Sequence, residues 1–229
     1  MVRDILVWVG RTLVAVPIGM ILVVALFRIV PPAITPLMIY RLVNAPFTGH
    51  SFTVNHRWVS YDEISPDVFR ALITSEDKKF LSHGGVDWQS VERAKKVNVS
   101  RVRRGKLPLG ASTITMQTAK NVFLLPFRTM VRKAAEVVFT YMIEVLWGKK
   151  RILEVYVNMI EWGDGIYGIE SAAQTYFQKS AKELTRREAA LLAAVVPNPR
   201  RFSAAQPSPY VRRRASTIAA GLGGRKIPK

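Results

Sequence analysis

Ser65-Pro66-Asp67-Val68-Phe69-Arg70-Ala71-Leu72-Ile73-Thr74-Ser75-Glu76-Asp77-Lys78-Lys79-Phe80 is a helix with an acid where an apolar residue belongs. Serine before proline, with an acid in the first turn, marks a helix start. Phe69, Leu72, Glu76 and Phe80 then recur at offsets of three, four and four, so they share one face of a helix expected over 66–82. A carboxylate on that stripe is costly unless it is paired or has a task. Burial would lift its pKa toward the range of a general acid or base. A glutamate paired with a core Arg or Lys fits the same pattern.

Further along, Glu136 repeats the anomaly. It lies in Arg132-Lys133-Ala134-Ala135-Glu136, on a segment from Met130 to Trp147 that is apolar nearly all round and reads as a central buried helix. Phe139, Thr140 and Ile143 follow on its side. Arg at i and Glu at i+4 is also an ordinary helix ion pair. Between the two acids stands Gly110-Ala111-Ser112-Thr113-Ile114-Thr115-Met116-Gln117-Thr118-Ala119-Lys120-Asn121. As a helix start it puts Thr113, Gln117 and Lys120 on one side. A hydroxyl, an amide and an ammonium on one face suit a phosphate or a sugar, and free amides at the helix start add to an anion site. The same residues also describe a polar first turn with a solvated lysine.

The rest of the chain is mostly helical in pattern, with segments at 66–82, 87–98, 112–124, 130–147, 149–160, 167–177 and 185–196. The last opens with a capping box, Thr185-x-x-Glu188, and stops at Pro197-Asn198-Pro199. Ser51 to Val59 alternates as a short strand, and no internal repeat is evident. The fold class is therefore mainly α. Residues Ile5 to Phe27 are almost wholly apolar, with Arg11 their single charge and Pro17 and Gly19 among them. That length spans roughly 30 Å of hydrocarbon. No Ala-x-Ala-like cleavage site follows it, so an uncleaved signal anchor is expected. The division expected is 1–28 as N-terminal tip and transmembrane anchor, 29–50 as a proline-stiffened juxtamembrane linker, 51–205 as the folded domain and 206–229 as a basic tail.

Charge narrows the partners. The net charge is +18 at pH 7, concentrated in Arg93–Lys106 and in the acid-free stretch from Arg200 onward. Neither stretch interleaves aromatics as stacking platforms, so nucleic acid is excluded as the expected partner. Anionic headgroups and an anionic substrate are the simpler reading. Arg3 and Arg11 before the anchor are balanced by Arg28 and Arg41 after it, so the positive-inside rule is nearly silent on orientation. The chain has no cysteine, which fits an exported domain and a cytosolic one alike.

Taken together, these segments resemble one family. Glu-Asp-x-x-Phe-x-x-His-x-Gly from Glu76, Gly-x-Ser-Thr-Ile-Thr-x-Gln-x-x-Lys-Asn from Gly110 and Arg-Lys-x-x-Glu from Arg132 are three of its ordered motifs. Lys149-x-x-Ile152-Leu153-Glu154-x-Tyr156-x-Asn158 is a fourth. Ala172-Ala173-x-x-Tyr176-Phe177 with Glu188-Ala189-Ala190-Leu191-Leu192-Ala193 is a fifth. They are similar, from about Arg57 to Phe202, to the peptidoglycan glycosyltransferases, glycosyltransferase family 51. With no room for a penicillin-binding transpeptidase domain after them, the monofunctional branch is expected. One position departs: the family usually has two glutamines after Ser-Thr-Ile-Thr, and here Met116 precedes Gln117.

The resemblance implies a lysozyme-like glycosyltransferase domain with a smaller membrane-proximal lobe between the first and third motifs, outside the cytoplasmic (inner) membrane. It implies lipid II and the growing glycan chain as substrates, with membrane lipids and cell-wall synthesis or division proteins as partners. Glu76 and Glu136 would be catalytic, Glu76 as general base. Glu136 would assist the pyrophosphate or a metal, or steady an oxocarbenium-like carbon. Asp77, Phe80, His83, Ser112, Thr113, Gln117, Lys120, Asn121 and Arg132 would bind substrate. A divalent cation, Mg or Mn, is admitted as cofactor, and moenomycin-type phosphoglycolipids as inhibitors. A lytic glycan-cleaving enzyme of the same fold is the alternative, against which Lys120 and Arg132 speak, since a hydrolase needs no pyrophosphate clamp. A non-catalytic scaffold is the third reading.

Overall fold

The structure, a computed structural model, describes residues 1–127 and 129–228. Helix α1 (Val2–Phe27) carries the apolar N-terminal run, and its window Gly10–Phe27 has a mean hydropathy of 2.1 and is almost wholly unburied. Its last turn is different: Val24 is fully buried.

The expected linker contains a second helix, α2 (Pro36–Thr48). Thr35 caps it through Oγ1, which accepts from the Met38 N–H at 3.2 Å, Pro36 fills its first turn, and Gly49 ends it at φ 66°. The strand expected over Ser51–Val59 shrinks to β1 (Asn55–His56). The small sheet has order β1-β3-β2, with β2 (Glu161–Gly163) and β3 (Ile166–Tyr167) an antiparallel hairpin and β1 parallel to β3.

Helix α3 (Pro66–Glu76) stops six residues earlier than expected, because Asp77 leaves the helix at φ −155°, ψ 79°. Phe80 is thus not on the helix with Glu76, yet the turn that follows still buries it completely. Helix α4 (Trp88–Arg103), capped by Asp87, has no buried residue and forms the smaller lobe with the loop behind it. Then come α5 (Ile114–Phe123), α6 (Met130–Leu146), α7 (Lys149–Met159), α8 (Ile169–Phe177) and α9 (Arg186–Val195). The capping box at Thr185 and Glu188 forms as read, the Thr185 N–H donating to Glu188 at 2.9 Å.

The central buried helix is α7, not α6. Ile152, Leu153, Val155, Tyr156, Val157 and Met159 of α7 are all buried. On α6 only one face is inside, at Glu136, Phe139, Thr140 and Ile143, while Met130, Val131, Val138 and Val145 lie open. An all-round apolar pattern cannot tell a core helix from one with two apolar environments. The expected tail contains a helix too: α10 (Pro209–Ala220), capped by Ser208, packs on α9 and α3 through Val211, Ala215 and Ile218.

Candidate active site

Glu76 ends α3 with its side chain 13% exposed. One carboxylate oxygen, Oε2, accepts from Gln117 Nε2 at 3.2 Å, and the other, Oε1, accepts from Arg214 Nη2 at 3.2 Å. Gln117 is itself oriented, because its Oε1 accepts from the Tyr156 hydroxyl at 3.0 Å. Burial pushes the Glu76 pKa up, and the bonds from Gln117 and the charge of Arg214 oppose that rise without cancelling it. Tyr156 is fully buried and its pKa is pushed well above the ordinary tyrosine value, so its hydroxyl stays a donor. The helix brings up a carboxylate, and a fixed amide holds it.

Asp77 is a strut. Its Oδ2 accepts from His83 Nε2 at 2.9 Å and from the Ile114 N–H at 3.0 Å, tying the end of α3 to the following turn and to the start of α5. His83 Nδ1 accepts from the Gly85 N–H at 3.1 Å, which closes that turn. Thr113 Oγ1 donates to the Gly85 carbonyl at 2.5 Å and caps α5 by accepting from the Met116 N–H at 3.1 Å. Phe80, Asp77 and Thr113 are buried and His83 half-buried; together they hold the frame. Met116 is 3% exposed, inside the core, so the departure from the family pattern falls away from the cleft.

On the other side of Gln117 opens a cleft of about 600 Å³ lined by Ser112, Lys120, Asn121, Arg132 and Lys133, with Glu136 at its base. Glu136 is 2% exposed. Both its oxygens are engaged, Oε2 accepting from Arg132 Nη1 and Oε1 from Lys133 Nζ, each at 2.5 Å. Lys120 makes no salt bridge among the described residues, and burial lowers its pKa against the pull of Glu136. A second cavity of about 350 Å³ holds Glu76 with Lys79 and Thr113. Ser112 lines both, and Gln117 links the first to Glu76. A carboxylate of raised pKa thus stands where two cavities adjoin, one of them cationic. Such a site can take a proton from a nucleophile in one cavity while an anionic leaving group is held in the other.

Glu76, Asp77, Ser112, Thr113, Gln117, Lys120, Asn121, Arg132 and Glu136 line one or other of these cavities, whereas Phe80, fully buried, and His83, bonded to Asp77, line neither and serve the frame instead of a substrate. Four others escaped the sequence reading. Arg214 sat in the presumed tail, Arg41 in the presumed linker, and Tyr156 and Lys133 inside motifs but unassigned. Pro209 behind Ser208, with Val211, Ala215 and Ile218 at helical spacing, was the available signal for α10. As to a cation, no group of three or more His, Asp or Glu side chains converges among the described residues. The carboxylates bordering the cleft, Glu136 and Glu161, are each paired with arginine. Among the described residues, the carboxylates of this cleft thus do not fit an ion held by the protein alone.

A family model described as Transglycosylase matches residues 45–222. Among curated proteins, a biosynthetic peptidoglycan transglycosylase of Rhodospirillum centenum is 50% identical over 213 residues, covering 91% of this chain and 88% of that one. One of Caulobacter vibrioides is 45% identical over 223 residues, 97% and 92% of the two chains. One of Escherichia coli is 49% identical over 199 residues, 85% and 80%.

Proposed function

Since the chain belongs to the transglycosylase family, we propose that it is a peptidoglycan glycosyltransferase of cell-wall synthesis, polymerising lipid II into linear glycan with release of lipid pyrophosphate. The observation that carries this reading is Glu76 in one cavity, joined through Gln117 to a neighbouring cleft that is cationic.

In this reading the 4-hydroxyl oxygen of the acceptor sugar bonds to the anomeric carbon of the donor. The bond from that carbon to the pyrophosphate oxygen breaks, its electron pair leaves with the lipid pyrophosphate, and the hydroxyl proton passes to Glu76. A base whose pKa lies closer to neutrality than an ordinary glutamate is better matched to that proton, and general-base assistance is worth about 10²- to 10⁴-fold. Gln117 and Tyr156 keep the carboxylate aimed. Lys120 and Arg132 meet the charge that develops on the pyrophosphate. Glu136, with both oxygens taken by Arg132 and Lys133, positions those cations.

The apolar window of α1 supports a single membrane anchor, and the catalytic domain belongs on the outer, periplasmic face, where peptidoglycan is built. The test is to supply labelled lipid II to the membrane-reconstituted protein. Lengthening glycan and free lipid pyrophosphate are expected. Shortening of preformed glycan would make it a lytic enzyme, and no turnover of either would leave a scaffold.

A further inference from the structure

Arg41 sits on the buried stripe of α2. Leu37, Arg41 and Ala45 follow one another at intervals of four, and Leu37 and Ala45 are both buried. A cation on such a stripe needs an anion, and the structure supplies only half of one. Arg41 Nη2 lies 3.6 Å from Glu161 Oε2, longer than a charge-assisted hydrogen bond, and its Nε is buried with no partner among the described residues. Glu161 in turn has its pKa raised by burial, more than the attraction of Arg41 and Arg200 offsets. The pair is loose, and the fork of Arg41 keeps donors to spare.

Arg41 also borders the cleft already described. Leu37 and Arg41 of α2 line the same 600 Å³ as Lys120 and Arg132. The charge of Arg41 is felt at Lys120, where it acts with Arg132 and Lys133 to disfavour the protonated amine. Cations gathered this closely without enough carboxylate are stabilised by an anion that enters among them.

We propose that Arg41, carried by the helix that follows the membrane anchor, is a substrate-binding residue that completes the cationic cleft and contacts the phosphate groups of the lipid-linked donor. The cleft is then shared between the catalytic domain and the juxtamembrane helix. The planar guanidinium suits paired phosphate oxygens in a way that a lysine cannot match. This inference rests on the glycosyltransferase reading above.

The experiment uses the full chain in lipid nanodiscs. It measures binding of a phosphoglycolipid and of the same glycolipid with its phosphate removed, together with polymerisation of lipid II. Removing Arg41 alone leaves Glu161 buried without its partner, so the deciding variant is Arg41→Ala with Glu161→Gln, compared with Glu161→Gln alone. The double variant should bind the phosphoglycolipid roughly tenfold or more weakly than Glu161→Gln, and the dephosphorylated glycolipid equally. Arg41→Lys should recover part of the loss. Arg28→Ala, an exposed cation nearer the anchor, should change neither. A structural role for Arg41 would lower both ligands together, and equal phosphoglycolipid affinity with and without Arg41 would overturn the proposal. If the wild type itself neither polymerises lipid II nor prefers the phosphorylated ligand, the glycosyltransferase reading fails instead.

Discussion

The guanidinium of Arg214, on the last helix, stands 3.2 Å from the Glu76 carboxylate at the end of α3, 138 residues earlier in the chain. The proposed base therefore carries an arginine contact that must yield or shift as a proton arrives. Burial holds the Glu76 pKa above the ordinary value and Arg214 holds it down. The base works when deprotonated, so activity falls as pH drops through that pKa. Arg214→Gln removes the restraining charge, the pKa rises further, and the acid limb of the pH–rate profile moves to higher pH. An unmoved limb would show that Arg214 does not govern the ionisation of Glu76.

Glu76→Gln should retain the fold and lose about 10²- to 10⁴-fold in polymerisation rate. The amide keeps the shape of the side chain but cannot take the proton. Circular dichroism and a melting curve check the fold, and a lipid II assay checks the rate. Near-normal polymer from a folded variant removes Glu76 as the base.

Lys120→Ala and Arg132→Ala should each cost about 2–4 kcal/mol of transition-state stabilisation, by analogy with lost oxyanion donors. Arg213 is exposed, and Arg213→Ala should cost little beyond membrane affinity. Comparing the three rates separates a discrete clamp from a diffuse positive field; equal losses would favour the field.

Gly85 tests the frame behind the site. It holds φ 98°, and a Cβ there would lie 2.8 Å from Thr140 Cγ2. Gly85→Ala should destabilise by about 1–3 kcal/mol, read as a lowered melting midpoint. Activity should fall with it, because the Gly85 carbonyl receives the Thr113 hydroxyl that caps α5.

The open apolar residues of α6, together with Leu125 and Phe127, are expected to meet lipid. Absence of native cysteine makes single labels clean. A spin label at Val145→Cys or Leu125→Cys in vesicles should show high oxygen and low water-borne quencher accessibility, and one at Gln206→Cys the reverse. An aqueous signature at Val145 would place that face away from the bilayer. Phe123 is a poorer probe than its neighbours, since its ring stacks on Phe139 at 4.6 Å between centroids.

What the sequence made legible follows from which signals are local. Periodicity and caps placed α3 through α9, and the acids on apolar stripes led to Glu76 and Glu136. Asp77 shows the limit: a carboxylate bonding across to His83 and Ile114 ends a helix whose pattern runs on. The proline-rich stretch before Ser51 read as linker, although Thr35-Pro36 is a start signal and Gly49 a stop. Arg41 and Arg214 were lost with α2 and α10, because a cation's purpose depends on the partner that folding brings to it. Met116 stood out as a departure and proved a core residue, since a motif letter does not reveal which way its side chain points.

The last turn of α1 is bolted to the domain it carries. Trp147 Nε1 donates to the Val24 carbonyl at 2.7 Å, and Arg151 donates to the Phe27 carbonyl at 2.9 and 3.1 Å and to that of Val30 at 3.2 Å. A catalytic body on a slack leash would sample every height and tilt above the bilayer. With α1 as the proposed anchor, such a mounting would present the cleft to the membrane at one elevation and one inclination. A headgroup fixed at the water interface would then need no search along the normal, and each added unit would be made at the same altitude as the one before.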